Sequence, residues 1–295
     1  ENMLDMIKFD GIDGIYGIPY AAYADSLFCN KAMFDKYGIE LPETIEEFEA
    51  ACDKFLENGV TPLPVGDKST FRGGHLFALL MAKRSGNEVA LKLASREASY
   101  EDDAVKDVLT TMKSWADKGY LGDSITTLDG EGECQLFLTG QSPMTFRNAY
   151  FIGRVTGEME NPEDVVNMAF PYYSDYTQYQ NAWHGGSSDI FSISSGATEE
   201  EKAAALELLK TCTQEKYMMQ RNEESAGGYV SVLKEIPPLE NQPQITTDFQ
   251  DNFAKAEILL TEPAEYDPNA GLRDATRTAI QAMWAGESVE DTIET

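Results

Sequence analysis

The chain has 295 residues, enough for one large domain or two lobes of ordinary size. Hydrophobic residues make up 42% and aromatic residues 11%, a composition that supports a packed core and excludes a disordered chain. Lys and Arg number 23 against 51 Asp and Glu, and the formal charge of −28 repels nucleic acid and anionic lipid, which weighs against both as partners. No apolar run approaches the ~20 residues that span a bilayer. The first residues, ENMLDMIKFDG, lack the basic start and apolar centre of a signal peptide.

Residues 14–29, GIYGIPYAAYADSLFC, read as extended, because Pro19 forces Ile18 out of the helical region. Asn30 caps a short helix that Gly38 ends. Thr44 and Glu47 have capping-box spacing, and Phe48, Cys52 and Phe55 follow at helical intervals up to Asn58-Gly59. Residues 60–67, VTPLPVGD, predict a strand leading to a loop. A helical stretch covers 75–95 with a break at Ser85-Gly86-Asn87, and 101–119 form an amphipathic helix with Val105, Val108, Met112 and Trp115 on one face. A helix ends at Gly140, and SPMTFRNAYF (142–151) predicts a buried strand running on into a helix or loop. Residues 166–173 predict a strand, 174–188 a polar and aromatic loop, and 189–194 a strand. A helix starts at Thr198 and Glu201 and runs to Cys212. A turn and linker follow over 227–243, then helices over 246–260 and 271–285. Strands alternate with helices through most of the chain, which predicts an α/β fold.

The four cysteines, Cys29, Cys52, Cys134 and Cys212, form no CxxC pair and read as small buried hydrophobes. The two histidines, His75 and His184, are far apart in the sequence, so no metal site and no cofactor is predicted. LDGEGE (128–133) lacks the alternating oxygen ligands of a calcium loop. The glycine pairs in GGHLF and AGGYV have no nucleotide-binding context.

An ordered set of short motifs runs through the first fifty residues: Tyr16, Gly17, Pro19; Asn30, Lys31; Lys36, Tyr37, Gly38; Pro42, Thr44, Glu47, Phe48. This set resembles family-one extracellular solute-binding proteins, the maltose-binding-protein-like carbohydrate carriers of ABC importers. LFLTGQSPMTF (136–146), HGGSSDIFSISSGATEEEKAAALELLK (184–210) and AMWAGESVEDTI (282–293) are similar to later segments of the same family. Cys29 and Ile45 depart from the tyrosine and tryptophan usual there, and only 15 residues precede the first motif. The resemblance implies a two-lobe type II periplasmic-binding-protein fold with an incomplete N-terminal lobe (1–19 and 184–243) and a complete C-terminal lobe (20–183 and 244–295). Chain crossings near 19–24, 182–186 and 240–246 would form the hinge. It also implies a bacterial, extracytoplasmic lipoprotein tethered through a missing N-terminal segment. Importer membrane subunits would be its partners, and apolar surface on the shortened lobe would let copies self-associate.

A neutral sugar needs flat aromatic faces and fork-like polar groups. Trp183, His184, Gly185 and Gly186 supply a stacking face and close backbone approach, or else a surface aromatic beside a turn. Tyr23 and Asp25 lie in the first crossing, where Asp25 accepts from a hydroxyl or caps the hinge. By resemblance, Tyr150 matches an aromatic that meets the sugar, with Arg147 and Asn148 beside it; packing and a surface ion pair are the alternatives. Phe71, Arg72 and His75 match a helix start that points into the cleft, and Arg273 and Asp274 match another contact position or form a surface pair. A glycoside-acting enzyme and an interaction protein that binds no sugar remain as alternatives. The first needs two facing carboxyl groups at catalytic separation.

Overall fold

The computed structural model describes residues 13–14, 16–232, 237–267, 269 and 271–294, and the side chains of 188 and 189 are not described. The first strand, β1 (Ile18–Asn30), organises the molecule. Asn30 ends it and caps α1 (Lys31–Tyr37) by accepting from Met33 N at 3.2 Å. Gly38 closes that helix in the left-handed region, φ 65°, where a Cβ would be strained. The capping box of Thr44 and Glu47 opens α2 (Ile45–Glu57), whose Ile45, Phe48, Cys52 and Phe55 are buried. Next come α3 (Phe71–Ser85), α4 (Glu88–Ala94), α5 (Asp103–Asp117) and α6 (Gly130–Leu138). Asp129, inside the acidic run considered above, caps α6 by accepting from Gly132 N at 2.8 Å.

Strand β2 (Met144–Asn148) and α7 (Phe151–Glu158) lead to β3 (Val165–Met168) and β4 (Ala182–Phe191). Helices α8 (Glu199–Cys212), α9 (Glu215–Glu224) and α10 (Gln244–Phe253) precede β5 (Ile258–Leu260), and α11 (Gly271–Trp284) and α12 (Val289–Glu294) finish the described chain. The second half of β1 pairs antiparallel with β2 (Asp25↔Asn148) and with β3 (Leu27↔Met168). Its first half pairs antiparallel with β4 (Ala24↔Gly185), and the start of β4 pairs parallel with β5. One core joins α2, α3 and α5 around Phe48, Phe77 and Trp115. A second lies against β1 and holds Phe28, Phe137, Phe151, Trp183 and Phe249.

The structure departs from the sequence reading at several elements. Residues 60–67 form no regular strand. Leu63 N, Val65 N and Asp67 N donate to Tyr120 O, Leu121 O and Ile125 O at 3.0, 3.1 and 2.8 Å, while Pro62 and Pro64 have no N–H to add. Strand β4 starts at Ala182 rather than 189, because residues 182–186 are buried on both faces and include His184 and two glycines, so they show no apolar alternation. The helix predicted over 246–260 ends at Phe253, and Ile258 to Leu260 instead pair with β4. All four cysteines are free, but Cys212 is only half-buried. The turn and linker predicted over 227–243 includes 233–236, which lie outside the described residues, as does most of 1–19.

Candidate ligand-binding site

Three elements converge where β1 and β4 run together. Tyr23 and Asp25, two apart on β1, share one face of the strand. The register Ala24↔Gly185 brings His184 opposite Asp25. Phe71 and His75, one turn apart on α3, supply a second imidazole and another ring. Gly185 is required by this pairing: a Cβ there would lie 2.5 Å from Tyr23 O and 3.1 Å from Ala24 Cα.

Asp25 Oδ2 lies 2.9 Å from His184 Nδ1 and 3.1 Å from His75 Nδ1. Against a carboxylate, both ring nitrogens must be the donors. The other nitrogen of His184 lies 3.3 Å from the Tyr23 hydroxyl, from which a neutral ring accepts. Burial opposes the charge on Asp25, but hydrogen bonds from His184 and His75 outweigh it and hold the carboxyl far below the usual carboxylate range. Burial pushes the His75 imidazole down, against the pull of Asp25. Burial also raises the Tyr23 phenol, helped by the nearby carboxylates Glu265, Asp25 and Glu262. Aromatic edges enclose the group: His75 and His184 have centroids 4.8 Å apart, Tyr23 and His184 5.2 Å, and Phe71 and His75 5.5 Å. Asp25 Oδ1 is buried and has no hydrogen-bond partner in the protein.

A buried ion network supports this group from below. Arg72, 2% exposed, donates through Nε and Nη2 to Glu133 at 3.1 and 2.9 Å and lies over the Phe146 ring. Arg147 Nη2 approaches Glu133 Oε1 at 3.0 Å and donates to Gly130 O at 2.8 Å. Glu262, nearly fully buried, pairs with Arg277 and lies 3.9 Å from His75 Nε2. Glu133, Glu262 and Arg277 were not singled out in the sequence, where they look like any solvated charge. The Gly73-Gly74 pair inside α3 is the one local signal. A Cβ on Gly74 would lie 2.3 Å from Glu262 Oε2, so the glycine marks a close approach.

The structure brings together Tyr23, Asp25, Phe71, Arg72, His75 and His184, with Arg147 and Asn148 on the adjoining strand. The two histidines, remote in sequence, meet on one carboxylate. Asn148 accepts from Tyr150 N at 3.1 Å and so shapes the turn after β2. The remaining candidates stand in other surroundings. Trp183 is 3% exposed and packs edge-on against Phe253 and Phe249 at 5.3 and 6.3 Å, so its faces are covered by core residues. Gly185 and Gly186 serve the pairing of β1 and β4. Tyr150 packs on Tyr229, 5.8 Å between centroids, in a separate cluster with Tyr20. Arg273 lies 3.5 Å from both Asp274 and Glu265, and Asp274 is largely exposed. Near the start of β1, Tyr20 stacks on Phe191 at 4.0 Å and lines a hollow of about 370 Å³ with Tyr217 and Arg221.

Residues 3–254 match the sequence profile of a family described as bacterial extracellular solute-binding protein. The chain belongs to that family. Over 143 residues this solute-binding protein is 29% identical to an uncharacterized ABC transporter extracellular-binding protein of Pyrococcus horikoshii. That match spans 46% of the chain and 32% of the relative, about a third of its length. Among solved structures, a chitin oligosaccharide binding protein superposes with a TM-score of 0.89 at 23% identity, covering 99% of this chain and 72% of the other. A raffinose complex of the solute-binding protein RafE gives 0.74 at 18% identity, covering 100% and 76%. At such identities the likeness establishes the fold, the type II periplasmic-binding α/β fold implied by the sequence motifs.

Proposed function

We propose that this solute-binding protein is the extracytoplasmic component of an ABC importer and that it takes a sugar or oligosaccharide. One observation carries the reading. Asp25 is held ionised by two histidines through one oxygen, while its other oxygen is buried without a protein partner, and the Tyr23 and Phe71 rings pack on those histidines. Such an acceptor suits a hydroxyl donor, and the rings suit the apolar face of a sugar. The superposed relatives named for chitin oligosaccharide and raffinose support that ligand class.

The site adjoins the paired strands β1 and β4, and the crossings expected near 19–24, 182–186 and 240–246 would form the hinge. Residues 20–183 with 244–295, and 1–19 with 184–243, would be the two bodies. A solute touching both favours closure by the difference between its contacts in the two states, and the importer reads the closed state. The protein does no chemistry in this reading. A carboxyl held ionised by two imidazoles is no general acid, and Glu262 is engaged by Arg277. No helix among the described residues is long and apolar enough to cross a membrane. A lipid tether and self-association through the exposed Leu206, Leu208 and Ile190 are further parts of the proposal, tested by lipid labelling and sedimentation.

The experiment is titration calorimetry with chito-, xylo-, malto- and raffinose-series oligosaccharides, alongside a long incubation for released sugars. The expected result is saturable binding of one series, weakened at least about tenfold by Asp25→Asn, as loss of a charged hydrogen bond costs roughly 1.5–3 kcal/mol. Steady hydrolysis, or no binding by folded protein to any series, overturns the proposal.

A further inference from the structure

We infer that Asp25, His75 and His184 form a binding site for a single divalent transition-metal ion of the zinc class. The three residues come from β1, α3 and β4, and each presents one ligand-type atom, all within 4.8 Å of one another. The Asp25 Oδ2 separations are 3.1 Å to His75 Nδ1 and 2.9 Å to His184 Nδ1. An ion bound at ~2.1 Å holds neighbouring ligand atoms ~3–4 Å apart, so small side-chain rotations suffice. Two imidazoles and a carboxylate select zinc, nickel or cobalt over magnesium and calcium, which prefer oxygen-rich sites.

The surroundings match what metal-bound histidines require. A ligating imidazole uses its second nitrogen to donate to an outer partner that fixes the ring. His184 Nε2 has the Tyr23 hydroxyl at 3.3 Å, and His75 Nε2 has the Glu262 carboxylate at 3.9 Å. Glu262 is itself held by Arg277. Binding takes the tautomer in which Nε2 carries the ring proton and Nδ1 is free to meet the ion. The Nε2–H of His184 then donates to Tyr23 Oη, and that of His75 faces the Glu262 carboxylate. Asp25 and His184 are 2% and 1% exposed and His75 is half-buried, so an ion would be shielded on most sides yet have a way in. Three protein ligands leave a coordination position for water or a solute hydroxyl.

The inference does not depend on the sugar-binding proposal, because its test contains no sugar. Protein stripped with EDTA and desalted is titrated with Zn²⁺ by calorimetry and with Co²⁺ by visible absorption. Circular dichroism checks that each variant is folded. The expected result is one ion per chain and Co²⁺ bands of low-symmetry nitrogen–oxygen coordination. His75→Gln, at the half-buried position, and Asp25→Asn weaken binding at least tenfold, and excess Mg²⁺ does not compete. Absence of stoichiometric binding overturns the inference. So does equal binding by wild type and His75→Gln, since the ion would then sit on the chain's abundant surface carboxylates.

Discussion

Replacing Glu133 with Gln tests how the buried charges hold the site together. Glu133 accepts from Gly66 N at 2.9 Å, from Arg72 at 3.1 and 2.9 Å and from Thr145 Oγ1 at 3.3 Å, with Arg147 Nη2 3.0 Å away. Gln keeps the size but removes the charge, and it turns one acceptor into a donor facing a guanidinium. Arg72 and Arg147 are then buried cations without their ion-pair partner, sharing one amide oxygen beside the carbonyls of Phe146 and Gly130. Breaking a buried ion pair costs about 3–5 kcal/mol. That is a large share of the ~5–15 kcal/mol by which such a domain is stable. Urea unfolding followed by tryptophan fluorescence reads it directly, since Trp115 and Trp183 are buried. The midpoint should fall with little change in slope. Adding Arg147→Met in the Gln background removes one orphaned charge and should recover about 1–2 kcal/mol. A loss below about 1 kcal/mol for Glu133→Gln would refute the view that this carboxylate balances two cations.

Trp183→Ala should cost about 3–5 kcal/mol by thermal or urea unfolding, as expected of a large ring in a packed core; any loss of solute binding should track the loss of folded protein. Gly185→Ala places a methyl against the Tyr23 and Ala24 backbone, which cannot yield as a side-chain tip would. Roughly 1–3 kcal/mol of destabilisation follows, together with faster amide exchange along β1 and β4. Lys83, 2% exposed and donating to Gln180 O at 2.7 Å, is pushed down to about 7 by burial. Between that value and its ordinary 10.5 the unfolded chain holds a proton that the folded chain has shed. Stability contributed by this group therefore rises with pH from about 7 and levels off near 10.5, and Lys83→Met should remove that slope from unfolding curves.

Much of the local structure was legible. Asn30, the Thr44–Glu47 pair and the Thr198–Glu201 pair mark the starts of α1, α2 and α8, and each sits where the structure caps those helices. The amphipathic stretch around Val105, Met112 and Trp115 became α5 with those residues buried. The motif order from Tyr16 to Phe48 points to the family, and Asp25, Tyr23, Phe71, Arg72, His75 and His184 are candidates from the sequence, which does not report their meeting.

Caps and amphipathic faces depend on residues within about four positions of one another, so they can be read from the order of residues alone. The convergence of His75 and His184 on Asp25 links residues 50 and 159 positions apart, which no periodicity reports. Burial likewise depends on the neighbours that tertiary folding supplies. Trp183 reads the same as a platform or as core until Phe249 and Phe253 close over it, and Glu133 reads as a solvated acid until Arg72 arrives. Such roles emerge on folding, because a side chain's chemistry is set by what surrounds it in space.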